Sequence, residues 1–169
     1  MKTLLTLSLM LPLFGFRILV NSYGSNPRPD GPVSFYQYTY SSTSRFPIRF
    51  YELKPDDSGT LCLRWSVHNE DISVIRAPQD ALEHIGELVA QHKLHKLKNS
   101  YRPRMEVLDG YGWYMNIRFQ ENSISAGGSN AWPPAKLDAG IQAINSYLQS
   151  LIDASTEAEI IRHESHLDR

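Results

Sequence analysis

An α+β fold, an antiparallel sheet with two helices packed on one face, is what this sequence predicts. Three observations carry that prediction. Apolar and polar residues alternate through a series of short segments, the period of a half-buried strand. Only two stretches show the 3.6-residue period of an amphipathic helix. The strand-like segments come in runs joined by short polar turns rather than alternating with helices, which disfavours a parallel α/β sheet. The predicted order is β-β-β-β-α-(β)-β-β-α, with the bracketed strand the weakest signal.

The elements follow in order. Phe35, Tyr36, Tyr38 and Tyr40 fill the first strand. Phe46, Ile48 and Phe50 form one face of the second, opposite Arg49 and Tyr51. Asp56-Asp57-Ser58-Gly59 is turn chemistry, glycine supplying a positive φ. Leu61, Leu63, Trp65 and Val67 then alternate with Cys62, Arg64, Ser66 and His68 in the third strand, and Ile72 and Val74 mark the fourth after a polar turn. Pro78 opens the first helix, where its missing N–H costs nothing, and Leu82, Ile85, Leu88, Val89 and His92 trace its apolar face. Asn99 to Arg104 reads as a loop, and Met105 to Leu108 as the brief bracketed strand.

The last third of the domain is the most informative. Trp113, Met115, Ile117 and Phe119 alternate with Tyr114, Asn116 and Arg118, and Ile124 and Ala126 continue into a second strand. Then Gly127, Gly128, Ser129, Asn130, Ala131, Trp132, Pro133 and Pro134 form a loop. Leu137, Ile141, Ile144, Leu148 and Leu151 follow on one face of a helix. The loop reads as architecture: glycines to reverse the chain, Ser129 or Asn130 to bond local amides, Trp132 to pack between sheet and helix, Pro134 to start the helix.

Chain organisation follows from the ends. Residues 1–24 have the form of a signal peptide: a positive start at Lys2, an uncharged apolar run from Thr3 to Phe16, and the small residues Ser22 and Gly24 two apart. Arg17 interrupts the apolar stretch, which is too short to span a bilayer before that charge. Cleavage after Gly24 removes Lys2 and Arg17, takes the formal charge from −1 to −3, and leaves no stable membrane anchor. A Pro-rich leader occupies 25–32, a single α+β domain 33–153, and a charged C-terminal tail 154–169. A near-neutral balance gives no general attraction for a phosphate backbone, so nucleic acid is not an expected partner. The expected location is secreted or periplasmic.

Chemistry is sparsely signalled. Gly127-Gly128-Ser129-Asn130-Ala131 departs by one residue from a nucleophile elbow, but Pro133-Pro134 delays the helix and the sequence has no βαβ series to build the parallel sheet that displays such a serine. Asp71, Glu106 and Asp109 are the carboxylates from which an acid–base pair could be drawn. Cys62, the single cysteine, reads as a small half-buried strand residue. His92 and His95, and His163 and His166, lie three apart without a third ligand, so neither a metal site nor a cofactor is specified. Lys93, Lys96, Lys98, Arg102 and Arg104 form the one basic cluster. Tyr36, Tyr38 and Tyr40 share a strand face, which would be a binding platform if it were the exposed one.

Trp113, Ile117, Gly128, Ser129, Asn130, Trp132, Pro133 and Leu137 together resemble a group of small uncharacterised domains of bacterial exported proteins. In these, a strand pair leads through a Gly-Ser-Asn-aromatic-Pro loop into a helix. The resemblance covers roughly 111–152, implies the local fold, and implies no activity. The expected function is a non-catalytic binding module for a protein or glycan, with contacts at Gly127, Gly128, Ser129, Asn130, Trp132, Tyr36, Tyr38 and Tyr40. A small hydrolase using Ser129 or a carboxylate pair, and a structural or accessory subunit, are the alternatives.

Overall fold

Period-2 patterning builds one sheet, seen here in a computed structural model that describes residues 20–42, 49–67, 71–105, 110–156 and 159–164. Phe46, Ile48, His68, Glu106, Asp109 and His166 lie outside the described residues. The strands are β1 (Val20–Tyr23), β2 (Val33–Ser42), β3 (Arg49–Pro55), β4 (Leu61–Val67), β5 (Ile72–Arg76), β6 (Ser100–Pro103), β7 (Tyr111–Phe119), β8 (Ser123–Ser129) and β9 (Ile160–Glu164). They lie in the order β1-β6-β8-β7-β2-β3-β4-β5-β9. Every neighbouring pair is antiparallel except β6–β8, which is parallel. The α+β class is as expected, and the sheet is larger than the sequence suggested.

Helices α1 (Ala81–His92) and α2 (Ala135–Ala154) cover one face. Ile85 and Val89 of α1 and Ile141, Ile144 and Leu148 of α2 join Tyr36, Leu53, Leu63, Met115 and Ile117 in the main core. Helix α1 starts at Ala81, later than expected, because Pro78 to Asp80 form a turn closed by Ala81 N–H to Pro78 O at 3.1 Å. Its end is set by Lys93 in the left-handed region (φ 54°), followed by a 3-10 turn at Leu94–Lys96 that buries Leu94. The reversal at Lys93 means His92 and His95 do not share one helical face. Among the described residues no group of His, Cys, Asp and Glu could hold a metal ion.

A register shift between Val33 and Phe35 in β2 changes the parity of the strand. Val33 joins the main core and Phe35 takes the far face, where the Arg118 guanidinium lies 4.2 Å from its ring centre. That far face carries a smaller apolar cluster of Phe50, Cys62, Ile72 and Val74. Tyr51 turns the other way, toward the helices, and its hydroxyl donates to Gln149 Oε1 at 2.7 Å.

Several expectations are corrected. A strand not expected from the sequence forms at Ser100–Pro103, where Tyr101 anchors the segment in the core; Met105 is exposed, and the rest of the expected Met105 to Leu108 strand lies outside the described residues. Within the charged tail, Ile160–Glu164 pairs with β5 as β9, a strand the sequence did not suggest. The leader is exposed but tied down, because Asn26 Oδ1 accepts from Ser125 N and Asn99 Nδ2 while Asn26 Nδ2 donates to Leu97 O. Val20–Tyr23, within the expected signal peptide, forms the edge strand beside β6. Cys62 is fully buried rather than half-buried.

Candidate functional site

The loop after β8 folds as it does because Gly128 lies against an indole. Gly128 pairs with Trp113 across β7–β8, and a Cβ there would sit 2.1 Å from Ala131 O and 2.3 Å from Trp113 Nε1. With no side chain in the way, Trp113 Nε1 donates to Ala131 O at 2.8 Å, which satisfies the buried indole N–H. Asn130 then takes a left-handed conformation (φ 51°) that asparagine tolerates. Its N–H donates to Tyr111 O, and its Oδ1 accepts from Tyr111 N, both at 2.9 Å. The chain thereby reverses and lays Trp132 onto Trp113.

The result is a five-ring aromatic stack drawn from three strands and one loop. Trp132 and Trp113 are nearly parallel, 6° apart with centres at 5.4 Å. Tyr111 lies 5.4 Å and Tyr40 6.1 Å from Trp132 on its other contacts, and Tyr101 stacks on Trp113 at 6.0 Å. Trp113 and Tyr101 are buried, whereas Trp132 is only half-buried and not enclosed as expected. Its open rim, with Pro133, Pro134 and Ala135, forms one wall of a cleft of 420 Å³ whose other wall is Tyr101 with Val20 and Ser22 of β1. The Tyr101 hydroxyl accepts from Lys98 N at 2.8 Å. Burial pushes the Tyr101 and Tyr111 phenols up from their ordinary value, so both are neutral at physiological pH.

The other expected site residues divide. Gly127, Gly128, Asn130 and Trp132 come together at this stack, with Tyr40 beside them. Tyr36 and Tyr38 do not: both lie under the helices, because their strand face is the covered one. Tyr36 donates its hydroxyl to Asn145 Oδ1 of α2 at 2.7 Å, a buried bond that explains a polar residue on an apolar helix face. Ser129 is exposed at the end of β8, and among the described residues its hydroxyl has no hydrogen-bond partner, amide or imidazole. Of the two residues expected to bond local amides, Asn130 does so with its own side chain and Ser129 does not. Asp71 is exposed on the far side of the sheet order from this loop.

Sequence reasoning missed Tyr101, Tyr111 and Trp113 as site residues. Each is an aromatic at strand spacing, and only the sheet order, which sets β6 next to β8, reveals that they form one stack with Trp132. No family model and no characterised protein matches this chain. The geometry of the cleft is what speaks for function.

Proposed function

We propose that this protein is an exported, non-catalytic binding module that holds a protein or glycan ligand at the Trp132 cleft, without a cofactor. The observation that supports it most is the aromatic stack that ends in an open indole rim flanked by two prolines. Rigid aromatic and proline surfaces present large contact area with little rotamer entropy to lose, and three ring neighbours lock Trp132 before any ligand arrives. Such walls suit the C–H face of a sugar or the side of a proline-rich segment. With the β1 wall in place the cleft measures 420 Å³, in the range of small-ligand sites and enough for one or two residues of either polymer.

Export, on this reading, bears on the site itself. Cleavage after Gly24 would take away Val20 and Ser22, the wall contributed by β1, and widen the cleft along β6. Mass spectrometry of the natively expressed protein checks this, and a product that retains Met1 or Lys2 would sink it.

The cleft can be blocked without touching the stack. Ala135 is exposed in the first turn of α2, where an acidic side chain is favourable. Ligands found on a glycan array or a proline-rich peptide library should lose at least about tenfold in affinity to Ala135→Glu, with an unchanged melting temperature. Ligands that bind this variant as tightly as the parent would place the binding surface elsewhere and remove the cleft from consideration.

A further inference from the structure

We infer that β9 is an exchangeable strand, and that a second copy of this chain can supply it to the β5 edge, giving a reciprocal strand-swapped dimer. The observations concern how β9 is held. It contributes little apolar burial: Ile160 is its one side chain packed on the core, and Ile161 is exposed. A cleft of 660 Å³ separates its start from α2, lined by Ile75, Leu151, Ala154, Ile160 and Ile161 among others. Its ladder to β5 is interrupted by a register shift between Val74 and Ile75.

Beside that backbone ladder, polar and charged side chains do the holding. Arg64 on β4 reaches across β5, and its Nε and Nη2 both bond Glu164 Oε2, the former at 3.1 Å. Its Nη1 bonds Glu52, which also receives Lys54 Nζ at 3.1 Å. Arg162 Nε donates to the second oxygen of Glu164 at 2.7 Å, and Ser73 Oγ meets His163 Nδ1 at 3.1 Å. Arg64 is thus oriented from β3 whether or not β9 is present, and the fork it offers to an incoming strand is preset. The sequence that satisfies this fork, register and shift is β9 itself, which every copy carries.

Strands of this kind open below the free energy of global unfolding. An edge freed in two molecules can be repaired in trans with the same bonds that close it in cis, so exchange costs little beyond association. A dimer built this way would carry two Trp132 clefts on one particle, and a repetitive ligand would be held with a higher effective affinity.

The test uses full-length charge-reversal variants. In Arg64→Glu the acceptor repels its own Glu164, and in Glu164→Arg the strand is repelled by its own Arg64. Mixed, each variant offers the strand that the other's edge requires. Light scattering should show the mixture at twice the mass of either variant alone, and the double variant R64E/E164R should return to the parent's behaviour. A mixture that stays monomeric while both variants melt cooperatively would overturn the proposal. Hydrogen exchange on the unaltered chain decides independently of whether the variants fold: the amides of Arg162 and Glu164 should exchange on the order of 100-fold faster than those of β2. Equal protection of β9 and β2 would also overturn it.

Discussion

The two ends of this sheet are closed by opposite chemistry. At the β6–β8–β7 end, five rings and a glycine contact bring distant segments together, and the hydrogen bonds serve to place the rings. At the other end, a chain of alternating charges, Lys54, Glu52, Arg64, Glu164 and Arg162, runs from β3 through β4 and across β5 to β9, with little apolar area beneath the last of them. Stacked rings lose contact steeply with small displacements, since interiors pack without slack. Ion pairs at a partly wet surface are weak and depend on salt and pH. The difference teaches that rigidity and exchangeability are assigned to separate ends of one sheet.

Substitutions at the aromatic end should therefore have the largest effects. Trp113→Ala removes a buried ring and the bond to Ala131 O, and should cost about 4 kcal/mol in denaturant unfolding. Gly128→Ala should cost about 3 kcal/mol, because the new methyl meets a carbonyl and an indole that hold each other in place. If either variant unfolds with the parent's midpoint, the stack is not what closes this end. Trp132→Ala should cost less, about 2 kcal/mol, in keeping with its open rim. A cost equal to that of Trp113→Ala would show the rim to be covered in solution.

The charged end should respond to pH rather than to truncation. Burial alone would raise the Glu164 carboxyl, but hydrogen bonds and charges from Arg162 and Arg64 outweigh it and hold the group below its ordinary value of 4.5. A carboxylate lowered on folding adds stability above its unfolded pKa, and that contribution is lost as the pH falls through the folded pKa. Protection of β9 amides should accordingly fall as the solution is acidified below about pH 4.5, with Glu164→Gln removing this dependence. The same acidification should leave the near-ultraviolet dichroism of the ring stack unchanged. The smallest effect concerns Cys62: burial first, and then the nearby Asp56 charge, push its thiol up, so a disulfide-exchange reagent at pH 7 should label it only as fast as the protein opens.

How far the sequence was legible depended on whether the information was local. Periodicity disclosed β7, β8 and α2 because each repeats on its own scale, and the buried set Met115, Ile117, Ile124, Ile141, Ile144 and Leu148 follows from that pattern. Strand β6 was read as a loop because four residues around Pro103 carry no period, and its place depends on β1 and β8 rather than on itself. Strand β9 was hidden for the same reason, since a run of charges looks like a solvated tail until Arg64 is brought to it by the fold. Tyr36 and Tyr38 show the converse. Their shared face was plain in the sequence, but which face the helices would cover was not, so a platform and a core looked alike. The Trp132 loop was singled out, whereas its partners lie on other strands and were not.

The position of β2 has a consequence for the order of events in folding. Strands β2, β3, β4 and β5 pair with their neighbours in sequence, so a four-stranded half-sheet can form soon after that stretch is available. Its union with β7 joins Ser34 to Arg118, 84 positions apart, far beyond the separation bridged by any of the hairpins on either side. Long-range pairings of this kind are slow, because the loop-closure entropy comes before the contacts that offset it. The cleft, which draws on β2, β6, β7 and the loop after β8, is thus a late product of folding. On the export reading proposed above, such a delay is useful, since the chain stays threadable while its longest-range strands are still apart.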